Sequence, residues 1–425
     1  MRLRMLAAPL LAMAALAGGG AQAAELTATQ ALGKLIFFDT NLSINRNQSC
    51  ATCHAPGVGW TGPDAKINEG GAVYAGSIHD RFGDRKPPSS AYSTQSPVLH
   101  NQQVDPKKEA VFVGGHFWDG RATGEKLGSA AAEQAQGPFL NPAEQALPSA
   151  ACVVQRICTG PYWALARAVW GADTCEIDWQ SDPCAPSRGG AARPDGARID
   201  RAYDAVGRSV AAYEASPESN AFTSKFDFVA RGEAKLTDMQ RQGLKLFAGK
   251  GKCGNCHVLS RAGGQGALFT DFTYDNLGLP RNPANPAYAA EAAFVDKGLG
   301  GFLAGRPEYA RYAEANLGKH KVPTLRNVDL RPEPGFVKAY GHNGYFKSLK
   351  GIVHFYNTRD AKPVCPPRPD RRGYTEAEAL AGKCWPAPEV PHNVNRRELG
   401  NLKLTAAEED AIAAFMKTLS DGYRP

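Results

Sequence analysis

A mainly α fold with extensive loops, divided into two similar halves, is what this sequence predicts, and three observations carry the prediction. The pentapeptide Cys50-Ala-Thr-Cys-His54 returns later in the chain as Cys253-Gly-Asn-Cys-His257. Each copy follows a segment with helical spacing of apolar residues, and the two segments share a signature, Gly33-x-x-Ile-Phe-Phe and Gly243-x-x-Leu-Phe. No region is rich in strand-like segments, whereas 45 Gly and 30 Pro punctuate long stretches with little periodicity.

Cys-x-x-Cys-His attaches a c-type haem: the two thiols add to the vinyl groups and the adjacent His supplies a nitrogen to iron. The bland alternative, a disulfide followed by a chance His, would have to occur twice in one chain. The sequence is therefore read as two cytochrome c-type haem domains, 24–215 and 216–425, each with one covalently bound haem. Cys50, Cys53, Cys253 and Cys256 are the attachment thiols, and His54 and His257 the proximal ligands. Ahead of them, Arg2 and Arg4, an apolar run from Leu6 to Leu16, and Ala21-Gln-Ala23 read as a secretory leader over 1–23. That leader and the haem motifs point to the periplasm. The apolar run is too short to span a bilayer, and nothing later approaches ~20 apolar residues, so no membrane span is expected. Formal charge is +7, and the haem propionates would largely offset what remains after the leader is lost. No basic run carries interleaved aromatics, which excludes nucleic acid as a partner.

Of ten cysteines, the haems take four. Cys152, Cys158, Cys175, Cys184, Cys365 and Cys384 remain, an even set that implies disulfides in an oxidising compartment. Six thiols allow 15 connectivities; the local order 152–158, 175–184 and 365–384 is the expected one, with free buried thiols as the alternative.

In order, residues 26–40 read as a short amphipathic helix starting near Thr29, followed by a polar loop over 41–49. Residues 55–110 read as ordered loops wrapped over a haem, which supplies the apolar surface they lack. Helical segments are expected at 144–157, 160–170 and 198–215, with a Cys-, Pro- and Gly-rich surface insertion at 172–196 and a connector at 216–235. Leu236–Phe247 repeats the helix-then-haem order with Thr237 as N-cap, and Gly/Pro loops fill 260–310. A final helix from Thr405 to about Leu419 buries Ile412, Phe415, Met416 and Leu419, with Met416 read as core rather than as a haem ligand.

The motif order adds a resemblance. Cys-x-x-Cys-His, Phe117-Trp-Asp-Gly-Arg-Ala122, Glu133-Gln-Ala-x-Gly-Pro138, the second Cys-x-x-Cys-His, Lys321-x-Pro-Thr-Leu-Arg-Asn-Val328 and His342-Asn-Gly344 together resemble the bacterial dihaem cytochrome c peroxidase/MauG superfamily. The likeness covers essentially the whole mature chain. It implies a peroxide-reactive N-terminal haem and a six-coordinate electron-transfer haem in the C-terminal half. In the peroxidase branch the distal ligand of the second haem is a Met fourteen residues after the motif His; here that position is Tyr356, as in the MauG-like branch. A thioether raises the potential, whereas a phenolate is a hard anionic donor that favours oxidised iron. The alternative is that Tyr356 is a core aromatic and another residue ligates; His354 should face away if the segment is helical.

The resemblance also implies an acid–base Glu above the first haem, ten residues after a Gln that is His116 here. The tenth residue is Lys126, and the segment is longer than the peroxidase pattern, so Glu133 is the expected acid–base residue with Glu125 behind it. His116 either shares that pocket as a donor or is structural. His79 lies near the position of a displaceable ligand of the resting first haem. Arg121 and Arg326 are candidate propionate partners, or plain salt bridges; Trp118 and His342 belong to the haem environment. The family's Ca²⁺ between the haems uses an Asn side chain and backbone carbonyls. The Asn position is Lys86, in Arg85-Lys-Pro-Pro-Ser89, and the second loop (331–340) is rewritten, so calcium is absent or held differently. Tyr92 and Phe112 are candidates for an inter-haem relay. The expected function is a periplasmic peroxidase reducing H₂O₂, supplied by a cytochrome c or small copper protein. The alternatives are a MauG-like maturase oxidising Trp or Tyr of a partner protein, and a non-catalytic electron-transfer cytochrome. A homodimer is an expectation from the peroxidase branch.

Overall fold

Threonines start the helices that matter. Thr27, Thr237 and Thr405 each accept the amide three residues on, while the Gln or Glu at that position reaches back to the Thr amide. In the computed structural model, which describes residues 25–103, 111–179, 181–185, 195–259, 266–368 and 373–425, the principal helices are α1 (Ala28–Phe38), α2 (Ala130–Leu140), α3 (Ala150–Cys158), α4 (Trp163–Trp170), α5 (Gly196–Glu214), α6 (Lys225–Ala230), α7 (Asp238–Ala248), α8 (Leu349–Thr358) and α9 (Ala406–Met416). The expected leader at 1–23 lies outside the described residues. Sheet is confined among the described residues to two short antiparallel pairs, His100–Gln102 with Val111–Val113 and Tyr274–Asp275 with His320–Lys321. The mainly α reading with much loop holds.

Two cores form, one per half. In the first, Leu32, Ile36 and Phe37 of α1 pack with Val153 and Ile157 of α3 and Val206, Val210 and Tyr213 of α5. In the second, Leu246 and Phe247 of α7 pack with Ile412, Phe415 and Met416 of α9 and with Val353, Phe355 and Trp385. The halves repeat one device. α1 crosses α5 at Gly33, where a Cβ would fall inside the Ser209 carbonyl, and α7 crosses α9 at Gly243, where a Cβ would fall inside that of Ala411. A smaller cluster of Leu99, Phe112, Tyr274, Leu299 and Leu303 joins the halves.

The structure corrects three local expectations. α3 starts only at Ala150, because Pro148 disfavours helix at the residue before it and Ser149 caps the first turn. α2 and α6 were not foreseen as helices; α6 lies within the connector, opened by the Ser224–Asp227 capping box. The disulfides are Cys152–Cys184, Cys158–Cys175 and Cys365–Cys384, so only the last of the local pairs forms. Cys152 and Cys158 stand six residues apart on α3. That spacing is a rise of about 9 Å along a helix, beyond the roughly 7 Å that a disulfide spans.

The two glycine crossings generate a test. Gly33→Ala and Gly243→Ala should each destabilise by about 1–3 kcal/mol or more, read by denaturant unfolding of the haem-loaded protein. Gly335, with open space around it, should tolerate Ala within about 0.5 kcal/mol. Equal effects at all three positions would contradict the crossing geometry.

Candidate haem sites

Each Cys-x-x-Cys-His forms a single tight turn that closes on its own histidine. The His54 amide donates to the Cys50 carbonyl at 3.0 Å and the His257 amide to that of Cys253 at 2.9 Å. His54 Nδ1 then lies 3.2 Å from the Trp60 carbonyl, and His257 Nδ1 2.8 Å from that of Phe269. Both carbonyls belong to residues with left-handed backbone, φ 60° at Trp60 and 55° at Phe269. A donor Nδ1–H fixes the tautomer and leaves Nε2 free to bind a metal. Burial lowers the His54 pKa to about 4 and shifts that of His257 in the same direction, so both rings are neutral, the ligating form.

Around these histidines the chain leaves two spaces, each partly continuous with solvent. The one at His54 is about 1220 Å³ and the one at His257 about 1640 Å³. Cys50 and Cys53 line the first, Cys253 and Cys256 the second, and these four thiols are unpaired while the other six cysteines form disulfides. Burial pushes the Cys53 and Cys253 thiols up to about 12. Two large cavities, each with paired thiols and a neutral imidazole, fit a macrocycle with a ligated metal.

α8 supplies the rest of the second site. Ser348 caps it, and Leu349, Ile352, Val353 and Tyr356, at i, i+3, i+4 and i+7, all line the cavity. Burial, then the nearby Cys253 thiol and Asp275 carboxylate, raises the Tyr356 phenol well above its ordinary range. His354 points elsewhere, its Nδ1 2.9 Å from Glu409 and its Nε2 2.7 Å from Lys362 Nζ. Met416 is a core residue at the edge of the same cavity.

The acid–base candidates of the first site are placed differently from expectation. Both Glu133 carboxylate oxygens accept backbone amides, of Gly124 at 2.7 Å, Lys126 at 2.5 Å and Leu127 at 2.9 Å. Glu133 thus ties down the loop that lengthens this segment, and it does not line the cavity, whereas its helical neighbours Gln134, Ala135 and Pro138 do. Glu125 bonds Tyr309 and Arg306 outside it. His79 is exposed and also outside, because Ser77 N–H to the Glu144 carbonyl and Gly76 N–H to the Arg81 carbonyl close its loop into a tight turn. His116 does line the cavity. Its Nε2 lies 2.9 Å from the Ser93 carbonyl, and burial followed by the charge of Lys321 lowers its pKa to about 3. Two carboxyls that sequence reasoning missed, the half-buried Glu144 and the buried Glu214, line the cavity, and desolvation raises the pKa of both, Glu214 to about 8.

Arg121 lines the first cavity, with its guanidinium 3.8 Å over the Phe117 ring and one nitrogen on Asp119 at 2.9 Å, so donors remain for a propionate. Arg326 borders the second cavity, but it is committed to structure: it forms a bidentate pair with Asp227 at 2.6 and 2.7 Å and donates Nε to the Ala267 carbonyl. That pair docks α6 onto the second half and weakens the propionate reading. Neither Tyr92 nor Phe112 lines a cavity. Tyr92 donates to Asp421 at 2.7 Å, and Phe112 packs against Tyr309 and Tyr312. Trp118 lines both cavities, its Nε1 donating to the Lys86 carbonyl at 2.8 Å and its ring edge-on to His342.

An ionic chain, exposed at Arg121 and largely buried from Asp119 onward, joins the two sites and was invisible in sequence. Arg121 bonds Asp119, which takes Arg85 at 2.6 Å; Arg85 makes a bidentate pair with Asp296 at 2.7 Å; and His320 and His342 stack 3.5 Å apart beside Asp296. Burial alone would raise the Asp119 and Asp296 carboxyls, but the facing cations outweigh it and hold both below the usual range.

Comparison with known proteins agrees with this architecture. Residues 27–235 match the family of di-haem cytochrome c peroxidases. The chain is 35% identical over 424 residues to the methylamine utilization protein MauG of Paracoccus denitrificans, covering 98% of this chain and 95% of that one. It is 28% identical to the cytochrome c551 peroxidase of Pseudomonas aeruginosa, over 76% of this chain and 69% of that one. The crystal structure of the diheme peroxidase BthA from Burkholderia thailandensis superposes with a TM-score of 0.70 at 30% identity, covering 93% of this chain and 86% of that one. With two cavities built alike around Cys-x-x-Cys-His and relatives matched along nearly its whole length, the chain belongs to the di-haem cytochrome c peroxidase/MauG family and is a peroxidase-type oxidoreductase.

Proposed function

We propose that this protein is a periplasmic enzyme that reduces hydrogen peroxide at a haem held by Cys50, Cys53 and His54, and that a second haem on Cys253, Cys256, His257 and Tyr356 keeps or relays the other oxidising equivalent. The observation that carries this reading is Tyr356 on the cavity face of α8, one helical turn from Val353 and in the same cavity as His257. Each bound haem supplies an iron whose oxidation state changes during turnover. Tyr356 supplies an anionic oxygen donor, which steadies oxidised iron where a thioether would steady reduced iron.

At the first site the protein's task is to leave the peroxide side open and to move a proton there. His79 lies outside the cavity, so no displaceable histidine has to leave before peroxide enters. Of the carboxyls that line the cavity, Glu144 is placed for proton transfer: burial keeps it more readily protonated than a free Glu, and Asn141 Nδ2 holds one oxygen at 2.6 Å. A carboxyl tuned upward both accepts the first peroxide proton and returns it. We assign the acid–base role to Glu144 and a loop-anchoring role to Glu133. Trp118, which borders both cavities, gives the charge a short path between them.

Electrons then come from a small periplasmic donor, a cytochrome c or copper protein. A second reading, oxidation of a Trp or Tyr in a partner protein, is favoured by Tyr356 and by the 35% identity to a MauG. A purely electron-carrying role gives no use for an open first cavity with a buried carboxyl.

Glu144→Gln should leave haem content intact and slow peroxide consumption by ~10²-fold or more, while Glu133→Gln costs stability first. The opposite pattern, Glu133→Gln inactive and Glu144→Gln normal, would return the role to Glu133. Tyr356→Met should raise the midpoint potential of the second haem and change its optical spectrum; an unaltered potential would remove Tyr356 as ligand. Stoichiometric peroxide added to the fully ferric protein, without reductant, should oxidise both haems. A requirement for prior reduction would mean a conventional, plugged peroxidase.

A further inference from the structure

Between the two cavities, where the family resemblance calls for Ca²⁺, the structure holds lysine side chains. Lys86 stands at the position of the ligating Asn, is buried, and lines both cavities. Its Nζ donates to Thr61 Oγ1 at 2.9 Å and to the Pro87 carbonyl at 2.8 Å. Lys338 comes from the rewritten 331–340 loop and is 3% exposed. Its Nζ donates to three carbonyls, of Val58 at 2.7 Å, Leu330 at 2.8 Å and Asn327 at 3.2 Å. An ammonium has three protons, and this cage uses all of them. Val58 belongs to the first half and the other two carbonyls to the second, so the contact crosses between the halves.

Carbonyl and hydroxyl oxygens converging in a buried seam are what a hard divalent cation takes as ligands. Here the chain fills such a seam with its own lysine side chains. Calcium does not fit: the Asn oxygen is gone, the converging carbonyls already accept N–H bonds, and a divalent ion would face ammonium groups at close range.

We infer that the Lys86 and Lys338 side chains take the place of the inter-haem calcium ion, their Nζ atoms occupying the oxygens that would otherwise converge on a metal, so that the assembly of the two haem domains is independent of calcium. The same construction recurs along the boundary. Lys347 Nζ donates to the carbonyls of Gly344 at 2.6 Å, within its own half, and of Asn68 and Gly70, both at 2.7 Å, in the other. Lys321 Nζ reaches Ser96 Oγ at 2.9 Å and the Gly114 carbonyl at 2.8 Å. In all four cases the bonded acceptors are neutral oxygens of the kind a metal would gather, and three of the four lysines reach from the second half into the first. A buried lysine nitrogen is tolerated when its donors find acceptors: Lys338 and Lys347 reach three oxygens each, Lys86 and Lys321 two each.

The test is made on the purified protein carrying both haems. Metal content by mass spectrometry should show no stoichiometric calcium, and haem spectra and melting temperature should be the same in EGTA and in added calcium chloride. Lys338→Met should lower the melting temperature by roughly 5 °C or more, with no recovery on adding calcium. One calcium per chain in the wild-type protein, or a spectrum or melting temperature that changes in EGTA, would overturn the inference. So would unaltered melting in both Lys338→Met and Lys86→Asn. Should Lys338→Met fail to fold, the wild-type calcium content and the Lys86→Asn melting temperature decide.

Discussion

Both halves of this molecule depend on two helices meeting at a glycine. At Gly33 and at Gly243 the helix ahead of the haem motif presses its backbone onto that of its partner, closer than any side chain would allow. The crossing sets the walls of the cavities. Phe37 of α1 with Val210 and Glu214 of α5 face the first, and Phe247 of α7 with Met416 of α9 face the second. Gly33 stands 17 residues ahead of Cys50 and Gly243 ten ahead of Cys253, so each crossing anchors the segment that leads into the thiols and the imidazole. Close packing at one point thereby becomes alignment at the metal position.

The second constraint is electrostatic. Two large cavities lie side by side with little apolar material between them, and the partition is made of Trp118, buried charge and lysine cages. Arg121, Asp119, Arg85 and Asp296 alternate in sign from one cavity to the other. Arg85 is the member on which both carboxylates depend, and truncating it would leave Asp119 and Asp296 without their shared cation, the costly case for a buried ion pair. The partition therefore holds its shape without needing a thick core.

How much of this was legible in sequence follows the range of the interactions. Caps at Thr237 and Thr405 and the haem motifs are local, and reading them placed those helix starts, while the first helix, expected near Thr29, is capped by Thr27. Tyr356 was singled out by its spacing from His342, and the structure places it on the cavity face of α8. The contacts of Glu133 were not legible, because its motif position gives no sign that the amides of Gly124, Lys126 and Leu127 hold its carboxylate. For Arg326 the sequence left a propionate or a salt bridge open, because its partner Asp227 is ninety-nine residues away. Asp296 and His320 sit in aperiodic loops, and only the fold brings them to Arg85 and His342. The disulfide pairing was recoverable in principle, since a helix through 152–158 forbids the bond that proximity in sequence favours.

Those disulfides have a consequence for the excursion after α4. Cys158–Cys175 lies nested inside Cys152–Cys184, and both bonds end on α3. A backbone break between 175 and 184 would release neither side, because each new end stays tied to the same helix by its own bridge. The segment can be cut by a protease in the surrounding medium and still hold its place. The damage would show only after the bridges are reduced.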